Sequence, residues 1–200
     1  MDAEASALNQ QSLVTQIEAC RLCERWLTPR PVIRVSPSAR VLIVGQAPGR
    51  RVHETGIPWN DPSGDRLRAW LQLERSLFYD ATRIAIVPMG FCYPGKGRTG
   101  DLPPRPECYE TWHPSLLETM PHLRCMLLVG RYAQRAYLPE ARKLSLDETV
   151  RRWRDWFPER IPLPHPSPRN RRWLAQRPWF ETEVVPAIRS HLHGLLADRS

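Results

Sequence analysis

Val41-Leu-Ile-Val-Gly-Gln-Ala-Pro-Gly49 is the stretch that decides the fold. Four consecutive apolar residues, with no polar residue alternating among them, describe a strand buried on both faces, as in a parallel sheet covered by helices. A turn bounded by two glycines ends it at once. The same arrangement recurs. Ile84-Ala-Ile-Val87 runs into the Gly- and Pro-rich segment 88–106, Cys125-Met-Leu-Leu-Val129 into Gly130, and Ile161-Pro-Leu163 into His165. The proline in the last run predicts an imperfect ladder. Helical spacing separates the strands. Leu8, Leu13, Ile17 and Leu22 suggest a helix over 8–27, and Leu67, Trp70, Leu71 and Leu77 one over 63–77 with Ser63 as N-cap. Further helices are expected over 107–117, 131–138, 149–156 and 179–196, the last interrupted by Pro186. Strands alternating with helices predict an α/β fold, a three-layer α/β/α sandwich around a central four-stranded parallel sheet, as one domain over 1–200. In such folds ligands bind beyond the carboxyl ends of the strands. Those ends are Gly45–Gly49, Pro88–Cys92, Gly130–Arg131 and His165–Asn170.

Composition narrows the function. The 200 residues are 42% hydrophobic and 25% charged, which excludes a disordered or collagen-like chain. No apolar run approaches the ~18 residues of a membrane span. Met1 to Gln16 lacks the charged and apolar regions of a secretory signal, so the cytoplasm is the expected location and no membrane partner is expected. Net charge is +8, and Lys96 and Lys143 are the only lysines among 29 basic residues. A GC-rich genome accounts for part of the preference for arginine over lysine, the guanidinium's match to phosphate for the rest, and the sign of the charge points to a polyanion, most simply nucleic acid. The 21 prolines and 8 tryptophans imply long, ordered loops.

Four groups of residues carry chemistry. Gly45-Gln-Ala-Pro-Gly49 is a tight, rigid loop that presents backbone N–H groups, but it lacks the Lys-Ser/Thr of a phosphate loop. His165-Pro-Ser-Pro-Arg-Asn170 holds His165 and Arg169 in an extended, low-entropy segment suited to a base and its phosphates. In Thr55-Gly-Ile-Pro-Trp59, the tryptophan beside a strand-end cleft can stack on a planar base. Cys20, Cys23, Cys92 and Cys108 are candidate ligands of a metal, while Cys125 heads a core strand. Four thiolates suit zinc or a [4Fe–4S] cluster, and the wide spacing of the second pair leans toward iron–sulfur.

Together these residues resemble the uracil-DNA glycosylase superfamily, from residue 17 to about 173. The iron–sulfur branch, family 4, carries Gly-Glu-Ala-Pro-Gly, Thr-Gly-x-Pro-Phe and then a small residue with Gly opening a helix. Here these read Gly45–Gly49, Thr55–Trp59 and Ser63-Gly64. That branch's cysteine pattern is similar to Cys20, Cys23, Cys92 and Cys108, and the late loop resembles the single-strand-selective monofunctional branch. The resemblance implies a DNA-repair N-glycosylase that flips a damaged base out of DNA and leaves an abasic site. By resemblance, the base stacks on Trp59, His165 donates to its departing oxygen, and Gly45, Gln46, Ala47, Pro48 and Gly49 hold the attacking water. Ser167 and nearby N–H groups would grip a phosphate. Arg169, Arg171, Arg172 or Trp173 would fill the gap in the duplex, with Asn170 beside them. A [4Fe–4S] cluster is implied too, and a monomer is expected.

Two positions depart from the family. Ala47 stands where the fast branch has a water-positioning Asp, leaving His53, Glu54, Asp61 or Asp65 to replace it. Pro88 stands where the iron–sulfur branch reads uracil with Asn, leaving backbone groups of Pro88, Met89, Gly90 and Phe91 to read the base edge. Three alternatives follow: a glycosylase for another deaminated base such as hypoxanthine, a silent iron–sulfur or zinc DNA-binding module, and a nucleoside hydrolase. The last is disfavoured by the arginine excess and the lack of an Asp-rich metal site.

Overall fold

The four apolar runs form one sheet. In the computed structural model, which describes residues 3–197, the strands are β1 (Val41–Val44), β2 (Ile84–Ile86), β3 (Cys125–Val129) and β4 (Arg160–Leu163). All pair in parallel in the order β2-β1-β3-β4. Around them lie α1 (Ala3–Glu18), α2 (Arg50–Thr55), α3 (Pro62–Leu71), α4 (Arg75–Phe78), α5 (Pro106–Glu118), α6 (Arg131–Tyr137), α7 (Leu146–Arg151), α8 (Arg171–Ala175) and α9 (Val185–Ala197). Met1, Asp2 and residues 198–200, the ends of the expected 1–200 unit, lie outside the described residues.

Alternation along β1 divides the core. Val41 and Ile43 pack with Leu67, Trp70 and Phe180 on one face, and Leu42 and Val44 with Leu116, Leu128 and Ala133 on the other. Both faces are dry, as the unbroken apolar runs require. Pro162 is tolerated because β4 is an edge strand. The other edge is sealed by the proline-rich segment before β1, where Arg34 exchanges both backbone hydrogen bonds with Ile86 (2.9 and 2.7 Å).

Several helices differ from their expected bounds. The 8–27 helix ends at Glu18, and Leu8 and Leu22 are exposed, so Ile17 alone of that stripe is buried. Cys20 and Cys23 therefore lie in the turns after the helix, where Arg21 donates to the carbonyls of Glu18 and Cys20. The 63–77 helix splits at Gln72, which takes the left-handed conformation (φ +50). Its N-cap is Asp61 rather than Ser63. The Asp61 carboxylate accepts from Gly64 N–H at 2.8 Å, and Pro62 fits the first helical position. The 149–156 helix starts earlier, at a Ser145–Glu148 capping box. The closing helix begins after a π-turn (Phe180–Val184), which sits just before the missing N–H of Pro186.

Candidate active site and cysteine cluster

The chain steps from β1 to β2 on one side and then returns to place β3 on the other side of β1, so the sheet has a switch point between β1 and β3. Ligands bind beyond the strand ends at such points. A cleft of about 610 Å³ lies there, walled by the loops after β1, β2 and β4. Gly45–Gly49, Trp59, Pro88, His165, Ser167, Arg169 and Asn170 all line it. Met89 and Gly90 do not. Met89 is buried, and Gly90 backs onto Pro104.

The loop after β4 is built around His165. The backbone N–H of Ser167 donates to His165 Nδ1 at 3.2 Å, so Nδ1 carries the lone pair and the ring proton sits on Nε2. Asn170 Nδ2 donates to the His165 carbonyl at 2.7 Å, and Arg66 donates to the Ser167 carbonyl at 3.3 Å. Burial pushes the imidazole below the usual histidine range, and the nearby Asp61 carboxylate offsets part of that. The result is a neutral ring with one fixed donor.

Trp59 is set beside it, the ring centroids 5.7 Å apart and tilted by 35°. Two glycines make its position possible. A Cβ on Gly45 would fall 2.8 Å from the indole, and one on Gly64 would fall 1.7 Å from the Trp59 carbonyl oxygen. Trp59 itself holds φ +55, a strained conformation for a large side chain, with its carbonyl tied by Arg68 at 3.2 Å.

A count of backbone donors sorts the loops. In the His165 loop, the N–H groups of Ser167, Arg169 and Asn170 are spent on His165 Nδ1, Ser167 Oγ and the Ser167 carbonyl, and Pro166 and Pro168 have none. Among the described residues, the His165 N–H is the one backbone donor between 165 and 170 left without a partner, so a backbone grip on a phosphate beside Ser167 would have to come from there or from the Ser167 hydroxyl. After β2, the N–H groups of Met89, Gly90 and Phe91 go to the carbonyls of Gly45 and Gln46 and to Cys108 Sγ. The Pro88 carbonyl accepts from buried His113 at 3.1 Å. The expected backbone reading of a base by residues 88–91 thus has no free N–H. Among the described residues, the N–H groups of Gln46, Ala47 and Gly49 have no partner, as expected of a donor-presenting loop.

Acidic side chains reach the cleft from two places. Asp61 Oδ2 and Asp101 Oδ2 both lie within 4 Å of the point where a Gly49 side chain would begin. His53, Glu54 and Asp65 do not line the cleft, and Glu54 and Asp65 are paired with Arg50 and Arg68. Asp101 was not foreseen from the sequence. The glycines around it, Gly95, Gly97 and Gly100, are the signal for the turn that carries it. Trp173 is half-buried, packs on Trp179 and Phe180 at the edge of the core, and does not line the cleft. No lysine lines the cleft among the described residues.

Away from the cleft, Cys20, Cys23, Cys92 and Cys108 are free thiols that feel one another. The charges of Cys20 and Cys23 act on Cys92, and those of Cys20, Cys23 and Cys92 act on Cys108. Burial is the larger cause and raises Cys92 to about 11 and Cys108 to about 12. Backbone N–H groups of Arg30 and Phe91 donate to their sulfurs (3.3 and 3.5 Å). Cys125 is raised by burial alone, with no cysteine near it. Among the described residues, no group of three or more His, Cys, Asp or Glu side chains forms a ready site for a metal ion. As a donor set, four thiols with N–H groups on two of the sulfurs are of the chemical type that ligates an iron–sulfur cluster.

The cleft at the switch point of the parallel sheet thus holds a histidine fixed in one tautomer beside an indole ring. The chain belongs to the uracil DNA glycosylase superfamily, whose family model matches residues 33–189. It is therefore a DNA glycosylase in the general sense, a hydrolase of base excision repair that acts on DNA. Among the described residues no helix is long and apolar enough to cross a membrane.

Proposed function

We propose that this chain is a monofunctional DNA N-glycosylase that removes uracil or a related deaminated or oxidised pyrimidine, as a single-domain cytoplasmic monomer. The observation that carries the reading is the Ser167 N–H donating to His165 Nδ1, which leaves the ring proton on Nε2 of a residue that lines the cleft. The flipped base stacks on Trp59. As the bond between C1′ and the base nitrogen breaks, its electron pair leaves with the base, and His165 Nε2–H stabilises the developing oxyanion. The open N–H groups of Gln46, Ala47 and Gly49 bind oxygen atoms of the substrate or of the attacking water. Water adds to C1′ and its proton passes to a carboxylate. Asp61 takes the role that Ala47 cannot, because it faces both Gly49 and His165. Hydrolysis without strand cleavage follows from the lack of a cleft lysine to form a Schiff base.

A second reading has its own support. The wall formed by Pro88 offers no side-chain amide and no free N–H, so nothing on that side selects uracil over a purine such as hypoxanthine. A panel of single- and double-stranded oligonucleotides, each carrying one damaged base, decides between them. Alkali-labile abasic sites from pyrimidine lesions support the first reading. Release confined to purines supports the second, and no release from any substrate leaves a silent binder.

We further propose that Cys20, Cys23, Cys92 and Cys108 hold a [4Fe–4S] cluster, with zinc the alternative. When bound, it would tie the turn after α1 to the loop after β2, a structural role. Iron and sulfide in the purified protein, lost on Cys92→Ser but kept on Cys125→Ser, is the expected result. One zinc without sulfide would replace the cluster with the metal ion.

A further inference from the structure

The chain between Cys92 and Cys108 carries a feature that the chemistry above does not use. Residues 95–102 fold back as a miniature hairpin. Lys96 and Asp101 pair antiparallel, Gly97 N–H donates to the Gly100 carbonyl at 2.6 Å, and Leu102 N–H to the Gly95 carbonyl at 2.9 Å. Gly95 permits the turn with φ +96. Thr99 to Leu102 form one rim of the cleft, beside the His165 loop. The two rims touch, because Arg169 rests on Gly100 so closely that a Cβ there would fall 2.5 Å from Nη1.

Three side chains of this hairpin are exposed. Lys96 and Arg98 are exposed and, among the described residues, make no ion pair or side-chain hydrogen bond. Leu102 is 44% exposed, one of few large apolar side chains left in water. It stands over Gly95 and Gly97, whose missing side chains make room for it. Cations neutralise phosphates, and an exposed apolar side chain at a cleft mouth can enter a base stack. Duplex DNA offers both a phosphate backbone and a base stack.

We propose that hairpin 95–102 is a DNA-gripping arm. Lys96 and Arg98 bind phosphates beside the target nucleotide, and Leu102 wedges into the stack next to the flipped base. Arg169, reaching from the other rim, completes a two-sided hold. This inference rests on the glycosylase reading, because it takes damaged DNA as the occupant.

The test needs no catalysis. The full chain is titrated with a duplex containing a stable abasic-site analogue across a range of salt concentrations. For Lys96→Gln/Arg98→Gln, the slope of log affinity against log salt should fall by about 1.8, two phosphate contacts at ~0.9 each. Leu102→Ala should weaken duplex binding about tenfold and single-stranded binding far less. Thermal melting checks that these surface variants fold. Folded variants that bind duplex with the wild-type slope and affinity would overturn the arm and leave the glycosylase reading intact. A wild-type protein that excises no base and binds no DNA would overturn both.

Discussion

His165 and Trp59 show what a single residue can and cannot reveal in advance. A histidine between a strand end and two prolines is legible in the sequence as a positioned group. Its tautomer is not, because that depends on Ser167 N–H turning back onto Nδ1. Acid should disturb this arrangement. A protonated Nδ1 would face the Ser167 N–H donor to donor, so the excision rate should fall only at pH values below the ordinary histidine range, since burial lowers the His165 pKa. A rate–pH profile with its acidic limb at or above 6.5 would contradict this. His113 sends the same signal to stability. It is buried, bonded to Tyr137 Oη at 2.7 Å and to the Pro88 carbonyl, and pushed down to about 4. Its folded pKa lies below its unfolded one, so the unfolded chain takes up the proton first. Its contribution is complete above about pH 6.5 and is lost as pH falls toward 4, on the order of 3 kcal/mol. Denaturant melts of wild type and His113→Gln across that range check it: the variant should show the shallower loss.

At the scale of elements, the strands were legible because burial on both faces writes an unbroken apolar run. The helices were less so. Nothing in the periodicity of 63–77 announces that Gln72 turns left-handed, and nothing in 8–27 announces that half its stripe faces water. The cap of α3 was misplaced because Ser63 and Asp61 are both good caps, and only geometry shows which oxygen reaches Gly64 N–H. That junction also fixes the aromatic platform. Gly64→Ala would drive a methyl group into the Trp59 carbonyl, so the segment 59–64 must move as a unit. The expected result is a loss of at least ~2 kcal/mol of stability, together with loss of base stacking. An alanine variant with wild-type melting and base affinity would show that Trp59 is not locked in this way. Ser145→Ala, at the capping box of α7, should cost only ~1 kcal/mol and leave the cleft untouched.

At the scale of the molecule, the sheet brings together loops that are distant in sequence, and this is where sequence reading ran short. The order β2-β1-β3-β4 sets the loops after β1 and β4 on a common cleft, a placement the strand-end rule predicted. It also brings Asp101 over Gly49 and tucks Met89 beneath the wall, neither of which local pattern could give. The excess of arginine predicts affinity that falls steeply with salt, carried by surface charge and separate from the chemistry in the cleft. That separation allows one measurement to test the central claim. Single-turnover base release and DNA affinity are measured side by side for wild type and His165→Ala on the best substrate of the lesion panel. If Nε2–H stabilises the departing base, the variant loses ~10²–10³ in rate while its affinity stays within a few-fold of wild type. A folded His165→Ala protein that releases the base within a few-fold of the wild-type rate would contradict the account.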